Sequence, residues 1–115
     1  MFTGDRAFLL AATNFWNIVK QNHTWVIGGN STGEHFFSKK EFIDRMLHIS
    51  GPETCNSVNM LRLTEALFMQ QPDATKAAYY ERTLFNHILS AYDPVKGMCC
   101  YFTSMRPGHY RIYAS

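Results

Sequence analysis

Residues 51–68 have the sequence GPETCNSVNMLRLTEALF. Gly51 and Pro52 form a turn signal, and the residues behind them are apolar at helical spacing. We therefore predict a long helix over 55–70, apolar on more than one face, as a helix buried inside a larger α-structure would be. Its apolar positions include Val58, Leu61, Leu63, Leu67 and Phe68.

Two further helices flank this one. Residues 5–20 repeat apolar side chains at helical spacing behind Asp5, an expected N-cap, and residues 74–92 do the same before Pro94 ends the pattern. GDRAFLLAA and PDATKAAYY both start a helix after a turn residue and an aspartate, which would suit repeated helical hairpins. Residues 39–48 are a candidate short helix. We predict short β-strands in TWVIGGNSTGEHFF, MCCYF and YRIYA.

Composition limits the function classes. The 115 residues allow one domain, with 46% hydrophobic residues and a net charge of +2 spread without a basic stripe. These values favour a globular protein and argue against nucleic-acid and membrane partners. No signal peptide or transmembrane segment is recognised, so the location stays unknown. Three cysteines do not form a disulfide framework and fit a reducing compartment or a metal role.

Glu53 and Cys55 are the first chemical candidates. A carboxylate and a thiolate are both good zinc ligands, and a helix N-terminus stabilises negative charge on both. The alternative is structural: Glu53 would be a first-turn acid and Cys55 a small buried hydrophobe. Spacing alone leaves both interpretations open.

Glu34, in the glycine-rich loop GGNSTGEHFF, is the second candidate. Burial beside aromatic residues would raise its pKa and suit it to general acid catalysis, whereas the alternative is a surface loop glutamate. The vicinal pair Cys99–Cys100 is the third. In a strand its side chains would point to opposite faces, so one is expected in the core and one at the surface.

Four stretches occur in an order typical of one family: IGGNSTGEHF, GPETCNSVNMLRLTEALF, YYERTLFNHILSAYDPVKGMCCYF and RPGHYRIY. Over nearly its whole length the chain resembles the catalytic domain of glycoside hydrolase family 127, the β-L-arabinofuranosidase family. The Gly-Glu element together with the Glu-Thr-Cys element carries the resemblance. It implies a mainly α fold, part of an (α/α)6 barrel of helical hairpins, with residues 1–115 a fragment of a single glycosidase catalytic domain.

The resemblance also implies a retaining glycosidase with a zinc-bound cysteine as nucleophile. Glu34 would be the general acid/base, Glu53 and Cys55 two zinc ligands, and an arabinofuranoside-containing glycan the substrate. The family completes its zinc site with a cysteine pair, which we expect downstream of this chain rather than at Cys99 and Cys100. The isolated chain is then expected to hold zinc weakly, to lack activity and to self-associate through exposed apolar faces.

Two other functions compete with this interpretation. One is a catalytically incomplete carbohydrate-binding or structural remnant of the same fold. The other is an unrelated metal or redox protein that uses Cys55, Cys99 and Cys100.

Overall fold

Three α-helices dominate the fold. The computed structural model describes residues 5–38, 41, 45 and 47–113. Within them α1 spans Arg6–Asn22, α2 spans Thr54–Gln70 and α3 spans Ala74–Thr83. After α3 the chain continues through a π-helical turn, Leu84–Ile88, and a 3₁₀ turn, Leu89–Ala91. The three predicted helices are therefore confirmed, the third with an irregular second half.

Aspartate caps start α1 and α3, as their sequences predict. The Asp5 carboxylate accepts a hydrogen bond from the Ala7 amide at 2.8 Å. Asp73 accepts from the amides of Thr75 and Lys76, at 2.7 and 3.1 Å. These carboxylates satisfy amides that the first helical turn leaves without a partner.

The core lies where the three helices meet. Its buried members are Trp16 and Val19 of α1, Met60 and Leu67 of α2, and Tyr79 of α3. Trp16 meets the Tyr79 ring edge to face, with 5.7 Å between ring centroids. Its indole N–H donates to the Thr64 hydroxyl at 2.8 Å, which fixes α1 against α2.

The predicted short strands are wrong for the described residues: the first two segments form only isolated bridges, and the described part of YRIYA forms none. Thr24 pairs with Asn30 and Tyr92 with Cys99, and neither pairing extends into a ladder. Gly28 and Gly33 both have positive φ, so the first segment turns back before a strand can form. Most of the predicted short helix at 39–48 lies outside the described residues.

No helix in the described part of the chain combines the length and the apolarity that crossing a membrane requires.

Candidate functional site

Glu53 and Cys55 lie at the start of α2. Glu53 occupies the N-cap position, but its side chain makes no capping hydrogen bond and is 8% exposed. Cys55, in the first turn, is an exposed free thiol. The alternative interpretation, in which Cys55 is a buried hydrophobe, is therefore wrong. The Glu53 carboxylate is available for another partner.

A distant segment provides that partner. The Thr54 amide donates to the Tyr101 carbonyl and the Thr103 amide to the Pro52 carbonyl, both at 3.0 Å. Segment 101–103 thus lies along the entry to α2. Gly51 permits this approach, since a Cβ at that position would collide with the carbonyl oxygen of Thr103.

Tyr101 connects the two candidate ligands. Its hydroxyl donates to Glu53 Oε1 at 2.5 Å. The Glu53 carboxylate raises the pKa of Tyr101 far above its usual range, with smaller contributions from burial and from the Cys55 thiol. Tyr101 therefore stays protonated and orients Glu53 beside Cys55. The sequence carries no local signal for this contact, because 48 residues separate the two side chains.

The loop that carries Glu34 is attached to the same region. The Gly33 amide donates to the Ser50 carbonyl at 3.0 Å, and the Asn30 amide donates to Ser57 Oγ at 3.4 Å. Glu34 itself is exposed and has φ of +69°, a left-handed conformation uncommon outside glycine. The burial beside aromatic residues that the sequence suggested is therefore absent. That Glu34 converges with Glu53 and Cys55 on one concave face stays a prediction.

Behind the helix start lies a buried polar chain formed by Asn30, Ser57, Tyr79 and His87. Ser57 Oγ is 2.9 Å from His87 Nδ1, and the side-chain Nδ2 of Asn30 donates to the Tyr79 hydroxyl at 3.0 Å. His87 is fully buried, and this burial lowers its pKa to about 4. The imidazole is therefore neutral near pH 7 and packs inside the fold.

Cys99 and Cys100 have different environments, as predicted. Cys100 is fully buried and its thiol donates to the Phe102 carbonyl at 3.1 Å, whereas Cys99 is exposed. Within the described residues, no three His, Cys, Asp or Glu side chains come close enough together to hold a metal ion. Glu53 and Cys55 thus form a pair with the chemistry of zinc ligands, but no third such side chain joins them there.

Other ring side chains near the site differ in exposure. Trp25 belongs to the core, and its indole N–H donates to the Ser31 carbonyl. Phe36 and Tyr101 are each 41% exposed. His48 is exposed, and its Nδ1 accepts from the Ser50 amide.

The comparison with protein families removes one of the competing interpretations. The model of the β-L-arabinofuranosidase GH127 catalytic domain matches residues 1–115. The chain belongs to that family. Membership in GH127 implies glycosidase activity, and so a carbohydrate substrate. An unrelated metal or redox protein is thereby excluded. A comparison with curated proteins gives no significant match.

Proposed function

We propose that this GH127 chain contributes to a retaining β-L-arabinofuranosidase in which Glu34 is the general acid/base and Glu53 and Cys55 bind zinc. The observation that carries the proposal is the family match over residues 1–115 together with the Glu53–Tyr101–Cys55 arrangement at the start of α2. A carboxylate and a thiol around one hydroxyl suit zinc, which accepts both donor types.

Zinc would keep a cysteine thiol deprotonated near neutral pH. We propose that the attacking thiolate comes from a cysteine pair outside this chain. As that sulfur bonds to the anomeric carbon, the bond to the leaving oxygen breaks and Glu34 donates a proton to this oxygen. Glu34 then accepts a proton from the water that releases the sugar, so the carboxyl group returns to its protonated state.

Tyr101 is a positioning residue in this scheme. Its hydroxyl donates to one oxygen of Glu53, which leaves the other oxygen for a metal ion. Hydrogen-bonded neighbours of this kind hold metal ligands in the orientation that binding needs. Glu34 lies on a separate loop that is anchored to Ser50, just ahead of the α2 entry.

We further propose that residues 1–115 form one portion of an (α/α)6 barrel. Support comes from α1, where four large apolar side chains are 46–66% exposed and would be covered by neighbouring helices or by a second copy: Phe8, Leu10, Phe15 and Ile18. On this proposal the 115-residue chain alone binds zinc weakly and does not hydrolyse arabinofuranosides.

The decisive experiment compares Glu34→Gln with the matched control Glu65→Gln, an exposed glutamate of α2, in the catalytic domain completed by its cysteine pair. With an alkyl β-L-arabinofuranoside we expect Glu34→Gln to lower kcat about 10²- to 10⁴-fold and Glu65→Gln to leave it unchanged. With a nitrophenyl substrate, Glu34→Gln should lower kcat much less, because the nitrophenolate leaving group needs little protonation. Equal losses on both substrates would contradict the general-acid role.

Zinc titration tests the ligands separately. Cys55→Ser should weaken zinc binding, and Cys99→Ser should leave it unchanged. Strong stoichiometric binding to residues 1–115 that disappears in Cys99→Ser or Cys100→Ser would instead assign the vicinal pair to the metal site.

A carbohydrate-binding remnant without catalysis is the second candidate. It is favoured by the observation that no third ligand side chain joins Glu53 and Cys55 among the described residues. Sugar binding with no turnover in the completed domain would select it.

A further inference from the structure

A cavity of about 280 Å³ lies between residues 103–111 and the π-helical and 3₁₀ turns that follow α3. Two guanidinium groups line it, from Arg106 and Arg111, and none of its described lining residues is acidic. Hydroxyl and amide side chains such as Ser90 and Asn86 form part of the wall, and the apolar side chains of Ile27 and Met105 also line it. The cavity, here called the Arg106–Arg111 pocket, therefore combines positive charge with many hydrogen-bonding groups.

Arg111 is fixed at one wall of the pocket. One of its terminal nitrogens donates to the Ser90 carbonyl, and a guanidinium keeps further N–H donors beyond that one. Its positive charge also helps to lower the pKa of the buried His87, after the larger effect of burial. Across the described residues, neither Arg106 nor Arg111 forms a salt bridge. The positive charge of the pocket is thus not neutralised by a described carboxylate.

Aromatic and unsatisfied polar groups form the other side. The His109 ring stacks on Tyr110, with centroids 4.9 Å apart and planes 9° apart, and Tyr110 is exposed. His109 Nδ1 is buried and has no hydrogen-bond partner in the described part of the chain.

We propose that the Arg106–Arg111 pocket binds an acidic saccharide, with the two arginines holding the carboxylate of a uronic acid. The planar fork of a guanidinium matches a carboxylate with two parallel hydrogen bonds. The volume lies near the lower end of small-molecule pockets, roughly 300 Å³, and so suits a single sugar ring. Because the chain belongs to a glycosidase family, we expect the bound carboxylate to be part of a saccharide.

The pocket adjoins the candidate catalytic region without belonging to it. Thr103 lines the pocket, and its amide is bonded to the Pro52 carbonyl next to Glu53. A uronate held here would therefore contact segment 101–103, which also carries Tyr101. The inference uses the family assignment but none of the proposed roles of Glu34, Glu53 or Cys55.

Calorimetric titration tests the proposal with D-glucuronate, neutral D-glucose and D-glucose 6-phosphate at matched ionic strength. We expect glucuronate to bind at least about tenfold more tightly than glucose, and more weakly as salt is raised. Arg106→Gln and Arg111→Gln should each weaken glucuronate binding at least about tenfold. Arg62→Gln, which removes an exposed arginine of α2, is the control and should bind as the unmodified protein does.

Thermal melting checks that each variant folds. Arg111→Gln removes the contact with the Ser90 carbonyl and could perturb segment 103–111. Arg106 makes no side-chain hydrogen bond to a described residue, so Arg106→Gln tests the pocket without that complication. Equal affinity for glucuronate and glucose, or glucuronate binding that survives both arginine substitutions, would overturn the proposal. Binding of the phosphate ester alone would overturn the assignment to a uronate. Glu34→Gln should retain glucuronate binding, which separates this inference from the catalytic proposal.

Discussion

Two polar groups meet the start of α2 from opposite sides. The outer group comprises Glu53, Cys55 and Tyr101, in which the thiol is exposed and the carboxylate has one hydrogen-bond donor. The inner group comprises Asn30, Ser57 and His87, all fully or almost fully buried. Cys55 and Ser57 are only two residues apart, yet helical rotation points them in different directions. The outer group has the chemistry of a metal site, and the inner group holds the backbone that supports it.

The sharpest way to break this arrangement is Gly51→Ala. A Cβ at Gly51 would collide with the Thr103 carbonyl, so the turn at Gly51 or segment 101–103 must shift, and we expect the contact of Tyr101 with Glu53 to be disturbed. We expect a loss of about 1–3 kcal/mol in the free energy of unfolding, measured by urea denaturation. Gly108→Ala is the comparison variant: Gly108, unlike Gly51, has a positive φ, but no atom lies within 4 Å of a new Cβ there, so its cost comes from backbone strain without a collision. A smaller loss at Gly51 than at Gly108 would show that the close approach is unimportant.

The inner group can be tested with pH. The pKa of His87 is about 4 in the folded protein and near 6.5 when unfolded, so between these values only the unfolded state binds the proton. The free energy of unfolding should therefore fall as pH drops from 6.5 to 4, by about 1.4 kcal/mol per unit from this residue. His87→Gln should reduce the slope.

His23 contributes to the same pH window with the same sign, because burial lowers its pKa too. The difference in slope between the unmodified protein and His87→Gln isolates His87. Equal slopes in the two proteins would contradict a buried neutral imidazole.

Tyr101→Phe removes one oxygen from the outer group and leaves the ring in place. Groups that hydrogen-bond a metal ligand typically contribute 10- to 100-fold to metal affinity, so we expect a loss in that range in zinc titrations of the completed domain. Tyr92→Phe is the control, because Tyr92 is exposed and its hydroxyl has no hydrogen bond to a described residue. Unchanged zinc affinity in Tyr101→Phe would remove Tyr101 from the site.

Cys99 and Cys100 also contrast an exposed side chain with a buried one, and smaller effects on stability are expected there. Cys100→Ser places a hydroxyl in a fully buried position and should cost about 1 kcal/mol, even though the serine can donate to Phe102. Cys99→Ser changes an exposed side chain and should stay within about 0.5 kcal/mol. Denaturation of both variants measures the difference, and a larger effect at Cys99 would be inconsistent with the burial pattern.

Sequence reasoning succeeded where local signals decide the structure. Helix spacing and the aspartates at positions 5 and 73 were sufficient to predict the three helices. It failed to predict that MCCYF is not a strand, because that segment is placed by isolated contacts with residues 91–93 and with residues 53–54 and forms no ladder. Glu34, Glu53 and Cys55 became candidates for specific roles only through family resemblance. The hydrogen bond between Tyr101 and Glu53 could not be predicted, because no sequence periodicity connects positions 48 residues apart.

The attachment of segment 101–103 has a consequence for motion. Two backbone hydrogen bonds at the α2 entry hold it, through the amides of Thr54 and Thr103. Such small units open with a lower free energy than the whole fold, so both amides should exchange with deuterium as one unit, ahead of the core of α2. Each opening releases Glu53 from Tyr101. The fraction of molecules with a correctly oriented carboxylate is then set by this local equilibrium and not by global unfolding.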